Sequence, residues 1–196
     1  VKIVVDYIGN GEYIIIKNEG GLDIAHMIAH AKANAQKSAE TGERISPLAG
    51  YKSPGGGTRV RTTKSVGKAK AEFLKSNVDF LIPAALEGQI TAQNAHLIRA
   101  KVILEAANMP VTAGADIALE GRVLVLPGEL TNAGGVTVSY FEMEANLGGK
   151  QRNLGEVRKD LDYKMGVAFN KVHQEYLALK EKYPDRPVTF RHAAYS

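Results

Sequence analysis

A doubly wound α/β fold, built on a parallel sheet covered on both faces, is what this sequence predicts. Three observations predict it. Short apolar runs stop at prolines, as in VDFLI before Pro83 and VLVL before Pro127. These runs are apolar throughout rather than alternating, which is the pattern of strands buried on both faces. Stretches with apolar residues at helical spacing lie between them.

Taken in order, Val1 to Val5 reads as a buried strand ending at Asp6. Tyr13 to Ile16 is a second apolar run, and Gly9-Asn10-Gly11 between them is a turn signal. From Leu22 the spacing of Leu22, Ala25, Ile28, Ala29 and Ala33 predicts a helix. Residues 42–57 hold five of the 20 glycines and two of the seven prolines, so they read as an exposed, mobile loop. A charged helix is expected over 64–75, and a buried strand over 78–82. Thr91 reads as the N-cap of a helix reaching about Arg99. A strand over Val102 to Leu104, a helix over Ala113 to Leu119 and a strand over Val123 to Leu126 follow. After Gly134 the pattern turns helical, with a long amphipathic helix over 157–179 and a new element opening at Arg191.

The chain of 196 residues is 44% hydrophobic and 23% charged, which places it among ordinary globular proteins. No run approaches the ~20 apolar residues of a membrane span, so no membrane partner is expected. There is no cysteine, which excludes disulfides and thiolate chemistry and is compatible with a cytoplasmic location. The chain opens on an apolar run with no basic segment ahead of it, unlike a secretory signal, and a natural start upstream of Val1 is expected. Net charge is +4, with Lys52, Arg59, Arg61, Lys64, Lys68, Lys70 and Lys75 in one stretch. Only Tyr51 and Phe73 lie among these cations, so a solvated face is favoured over a nucleic-acid surface. His26 and His30 stand four apart on a helix but lack a third ligand, and no metal is expected. Glu105 and Glu142 are better read as partners of a nearby arginine than as acid–base groups.

In an open parallel sheet, ligands sit beyond the carboxyl ends of the strands. Those ends carry Asp6, then Ala84, Ala85 and Glu87, then Ala106, Ala107 and Asn108, then Asn132 and the Gly134-Gly135 pair. Small side chains allow a flat ligand close to the backbone, and an asparagine offers both a donor and an acceptor.

At these ends the sequence becomes specific. DFLIPAALEGQITAQNA (79–95), EAANMPVTAGAD (105–116) and NAGGVTVSYFE (132–142) resemble three motifs of the glutamate dehydrogenases, within the family acting on glutamate, leucine, phenylalanine or valine. EVRKDLDYKMGVAF (156–169) and RHAAY (191–195) resemble that family's carboxyl-terminal helices. The resemblance implies a Rossmann-like dinucleotide-binding domain, incomplete at its N-terminus, over residues 1–145, with a C-terminal helical segment over 146–196. It implies NAD- or NADP-dependent oxidative deamination of L-glutamate to 2-oxoglutarate and ammonia, in a homo-oligomer of hexameric type. Ala84 and Ala85 are then expected along the dinucleotide, Asn108 at the nicotinamide ribose and Asn132 near the nicotinamide end. Val136 and Ser139 are expected in the substrate pocket, with the Ser139 hydroxyl toward the substrate's side-chain carboxylate. Asp6 falls near the family's reader of the adenosine ribose. An apolar pocket has no use for a serine at 139, so TVSYFE favours glutamate.

The departures from the family pattern are specific. The glycine-rich phosphate turn, the substrate domain with its catalytic lysine and aspartate, and the end of the last helix are not in these 196 residues. Gly9-Asn10-Gly11 does not replace the phosphate turn, because no helix follows it. Residues 42–57 are unlike the family's usual short segment, and Met143 stands where a tryptophan is common. The expectation is therefore a chain inactive by itself that binds NADH weakly; the alternative is a non-catalytic relative serving as a binding or assembly module.

Overall fold

The computed structural model describes residues 1–149 and 151–196. They form two compact units, residues 1–78 and 79–196.

In the first unit, β1 (Ile3–Gly9), β2 (Glu12–Lys17) and β3 (Arg59–Thr63) form an antiparallel sheet in the order β1-β2-β3. Asn10 and Gly11 turn the hairpin with φ of 51° and 74°, the left-handed pair that an Asn-Gly turn supplies. The parallel sheet expected from the apolar runs does not extend to this unit, because so short a connection can only reverse the chain. Ile14, Ile15 and Ile16 are all buried, so both faces of β2 are covered. Ile14 and Ile16 pack with Met27, Leu48 and Tyr51, whereas Ile15 packs with Ile3 and Ala69. Met27 belongs to α1 (Ile24–Thr41) and Ala69 to α2 (Val66–Leu74), so one helix covers each face.

Three expectations are corrected here. The first strand does not end at Asp6 but continues to Gly9 through its pairing with β2. The segment after α1 is irregular yet anchored: Leu48 and Tyr51 are buried, His26 Nδ1 lies 3.2 Å from the Tyr51 hydroxyl, and His30 Nε2 lies 2.9 Å from the Ala49 carbonyl. The basic stretch contains β3, which its charges concealed; this edge strand leaves Arg59 to Thr62 exposed.

In the second unit, β4 (Phe80–Leu81), β5 (Val102–Leu104) and β6 (Leu124–Leu126) pair in parallel, in the order β4-β5-β6. This is the predicted α/β arrangement, with α3 (Ala113–Leu119), α4 (Gly128–Thr131), α5 (Gly134–Gly148), α6 (Leu154–Lys182) and α7 (Phe190–Tyr195) around it. The strand expected over 78–82 is reduced to two residues. It is an edge strand, paired on one side, and Phe80 and Ile82 are exposed while Leu81 is buried. No α-helix forms at Thr91. The Asn94 side chain accepts from the Thr91 N–H (2.8 Å) and donates to the Gln89 carbonyl (3.0 Å), which leaves one 3-10 turn over Ala95–Leu97.

Candidate functional site

The parallel sheet brings three loops together at its carboxyl edge. Pro83, just after β4, accepts from the Ala106 and Ala107 N–H groups (3.1 and 3.0 Å), which ties the first loop to the one after β5. The loop after β6 runs through α4 into α5, and Asn132 caps the carboxyl end of α4. Its Nδ2 donates to the Ala107 carbonyl (3.2 Å) and to Asn108 Oδ1 (3.0 Å). The two asparagines, 24 residues apart in the chain, are thus hydrogen-bonded neighbours. Among the described residues neither Asn132 Oδ1 nor Asn108 Nδ2 has a bonded partner, so one acceptor and one donor remain for a ligand.

A cavity of about 630 Å³ opens beside the pair, lined by Ala85, Leu86, Glu87, Ala106, Ala107, Asn108, Asn132 and Val136. Four of the seven sequence-predicted site residues, namely Ala85, Asn108, Asn132 and Val136, therefore share one crevice. Val136 follows Asn132 by one turn and is 70% exposed. Ala84 and Ser139 are exposed next to this group in the chain but do not line the cavity. Ser139 sits on α5, where its hydroxyl donates to the Gly135 carbonyl one turn back (3.2 Å). Asp6 lies in the other unit, in the middle of β1 opposite Ile14. Burial pushes its carboxyl above the ordinary value, against bonding from the Tyr7 N–H and the Ser46 side chain.

Beneath the asparagines lies a charged core. Glu105, the first residue after β5, is completely buried. Its Oε2 accepts from the Gly128 N–H (2.8 Å), and its Oε1 from the Val111 N–H (3.3 Å) and from Arg191 Nη2 (2.5 Å). The arginine expected to partner Glu105 is thus Arg191, on α7. Arg191 is itself 8% exposed and also approaches Asp116 and Glu129, each at 3.4 Å. Burial raises the Glu105 carboxyl, opposed in turn by Gly128, Arg191 and Val111. Gly128 is tightly enclosed: a Cβ there would stand 2.9 Å from Asn132 Nδ2 and 3.1 Å from the Ala107 carbonyl. The apolar spacing and strand-end pattern of the sequence do not single out Arg191 or Gly128. Arg191 had a legible signal, since a glutamate ending an apolar strand needs a buried cation; Gly128 had none. Among the described residues no group of three or more His, Asp or Glu side chains could hold a metal ion, and His26 and His30 serve the anchored loop.

A family-wide profile described as Glutamate/Leucine/Phenylalanine/Valine dehydrogenase matches residues 9–195. The chain belongs to this family. Among its dehydrogenase relatives, glutamate dehydrogenase of Thermotoga maritima is 46% identical over 140 residues, 71% of this chain and 32% of that protein. NAD-specific glutamate dehydrogenase A of Halobacterium salinarum is 44% identical over 63% of this chain and 27% of that protein. The chain thus spans about a third of the length of these relatives. In structure, it matches glutamate dehydrogenase of Peptoniphilus asaccharolyticus with a TM-score of 0.66 and 28% identity, over 100% of this chain and 37% of that one. The hetero-hexameric glutamate dehydrogenase of Thermus thermophilus, in a leucine-bound form, shares the fold, with a TM-score of 0.65 and 22% identity over 92% of this chain and 36% of that one.

Proposed function

We propose that this chain is the nucleotide-binding part of an NAD- or NADP-dependent glutamate dehydrogenase, which deaminates L-glutamate oxidatively to 2-oxoglutarate and ammonia. The observation that carries the reading is the Asn108–Asn132 pair at the carboxyl ends of parallel strands, beside a cavity that Ala85 and Val136 also line. The cavity volume falls within the ~300–1,000 Å³ typical of small-molecule sites. The donor set fits a nicotinamide riboside: one free carboxamide donor and one free acceptor match hydroxyls and a carboxamide, and alanine keeps one wall shallow. When bound, the nicotinamide ring takes or gives the hydride; the chain's task is to orient it and exclude water.

In this reading Asn108 holds the nicotinamide ribose, Asn132 orients the nicotinamide end, and Ala84 and Ala85 pass along the dinucleotide. Val136 and Ser139 belong to the substrate side. Rotation about its Cα–Cβ bond frees the Ser139 hydroxyl from Gly135 to donate to the distal carboxylate of glutamate. The adenosine-ribose role of Asp6 rests on the resemblance. Residues 1–145 carry the dinucleotide contacts and residues 146–196 the helical support. A hexameric assembly and a cytoplasmic location follow from the same family reading.

The test is nicotinamide mononucleotide titrated into the ¹⁵N-labelled chain, alongside glutamate oxidation by a dehydrogenase carrying it. Shifts centred on Asn108, Asn132 and Ala85, and a dinucleotide KM raised about tenfold or more by Asn132→Ala, are expected. Shifts confined to other surfaces would remove the reading. A chain that binds the mononucleotide at this crevice, in a protein with no dehydrogenase activity toward any amino acid, would favour the binding-module alternative.

A further inference from the structure

The asparagine pair is held by residues that do not touch the cavity. Asn108 and Asn132 sit on loops from different strands, so no local turn sets the distance between them. Val111 closes the first loop three residues after Asn108, and Gly128 opens the second four residues before Asn132. The Asn132 N–H donates to the Gly128 carbonyl (2.9 Å), so the position of Asn132 follows that of Gly128. One carboxylate spans both anchors: Glu105 accepts from Val111 and from Gly128. Its own carbonyl accepts from Thr131 Oγ1 (2.6 Å), a third strut to the same turn. Glu105 in turn is backed by Arg191, whose guanidinium approaches three carboxylates while almost fully buried. A buried carboxylate with two backbone donors and a guanidinium is a rigid fixture, since each lost bond leaves a desolvated polar group.

We infer that Glu105, braced by Arg191 from α7, is a positioning residue that sets the separation and orientation of the Asn108 and Asn132 carboxamides. It fixes the Val111 and Gly128 backbones while standing outside the cavity. The inference rests on the asparagine pair being the dinucleotide contact. It goes beyond that reading by coupling the contact to the last helix of the chain. Disturbance of α7 is thereby transmitted to the crevice through two side chains.

The experiment compares Glu105→Gln, Arg191→Lys and Asn132→Ala with the unaltered chain by ¹⁵N spectra, and measures dinucleotide binding for each. Glutamine keeps the shape but can accept at only one of its two terminal atoms, so one of the two backbone anchors must loosen. In Glu105→Gln the Asn132 side-chain amide pair is expected to shift or broaden, together with the Val111 and Gly128 amides. Binding should weaken about tenfold. Arg191→Lys keeps a cation and is expected to show the same signals moved in the same sense by less, which holds the test open if Glu105→Gln does not fold. Circular dichroism confirms folding for each variant. If Asn132→Ala binds as well as the unaltered chain, the site reading fails. If Asn132→Ala weakens binding, but folded Glu105→Gln or Arg191→Lys keeps the original Asn132 signals and affinity, the positioning inference alone is overturned.

Discussion

Met109 holds φ of 45°, a left-handed conformation that an L side chain adopts at a cost of about 1–2 kcal/mol. It stands between Asn108 and Pro110 in the loop after β5. Its side chain is half exposed, so little buried area is lost on removing it. Met109→Gly relieves the strain and gives back part of the gain as unfolded-chain entropy, about 0.4–1 kcal/mol. The expected net effect is a stabilisation of up to about 1 kcal/mol in urea unfolding, and a loss of stability would contradict it. Gly128 is the opposite case. A methyl group there meets a hydrogen-bonded carboxamide and a backbone carbonyl, neither free to retreat. Gly128→Ala is expected to break the bond between Asn132 and Asn108 and to cost about 1–3 kcal/mol. The Asn132 side-chain amide signals report the first effect, and denaturant midpoints the second.

At the scale of elements, α7 is too short to be stable alone and is held by stacking on α6. The Phe190 ring lies 4.4 Å from that of Tyr176 and 6.1 Å from that of His173, with Phe169 next along the face. Phe190 is buried, and Arg191 follows it directly. Phe190→Ala is therefore expected to cost about 3–5 kcal/mol and to release α7. Hydrogen exchange should show lost protection at Ala193, whose N–H donates to the Thr189 carbonyl, before the parallel strands open. Uniform exchange across the unit would contradict an independent docking of α7. The apolar spacing over 157–179 located the body of α6 but not its ends: a capping box of Asn153 and Glu156 opens it at Leu154, and Thr189 with His192 forms another at α7. The 3-10 turn at Ala95 was not legible, because the Asn94 side chain turns back to the Thr91 N–H and the Gln89 carbonyl, a local alternative to a helix that only the folded geometry selects.

Over the whole molecule, the buried Glu105 carboxyl links stability to pH. Its value in the folded chain is raised above 4.5, so the folded state binds this proton more tightly than the unfolded one. Its contribution is full below the unfolded value and is lost as pH rises through the folded value. The unaltered chain should thus gain stability relative to Glu105→Gln on acidification toward pH 4.5, measured by paired urea titrations. A difference that shrinks on acidification would show that the ion pair with Arg191 outweighs burial.

The amino-acid sequence by itself determined the parallel strands, the helices α3, α5 and α6 and the family, because these depend on local apolar spacing and on contiguous motifs such as NAGGVTVSYFE. It also singled out both asparagines. The antiparallel return of the first apolar run is local too, since Asn10-Gly11 leaves a connection too short for a parallel crossover, whereas tertiary structure alone decided that a charged stretch contributes an edge strand. It decided too that Arg191 braces, through Glu105, a crevice lined by residues 55 to 106 positions earlier. Edge position and the pairing of buried charges are set by which distant segments meet. Chain-local patterns carry no information about those meetings until burial makes an unpaired group costly.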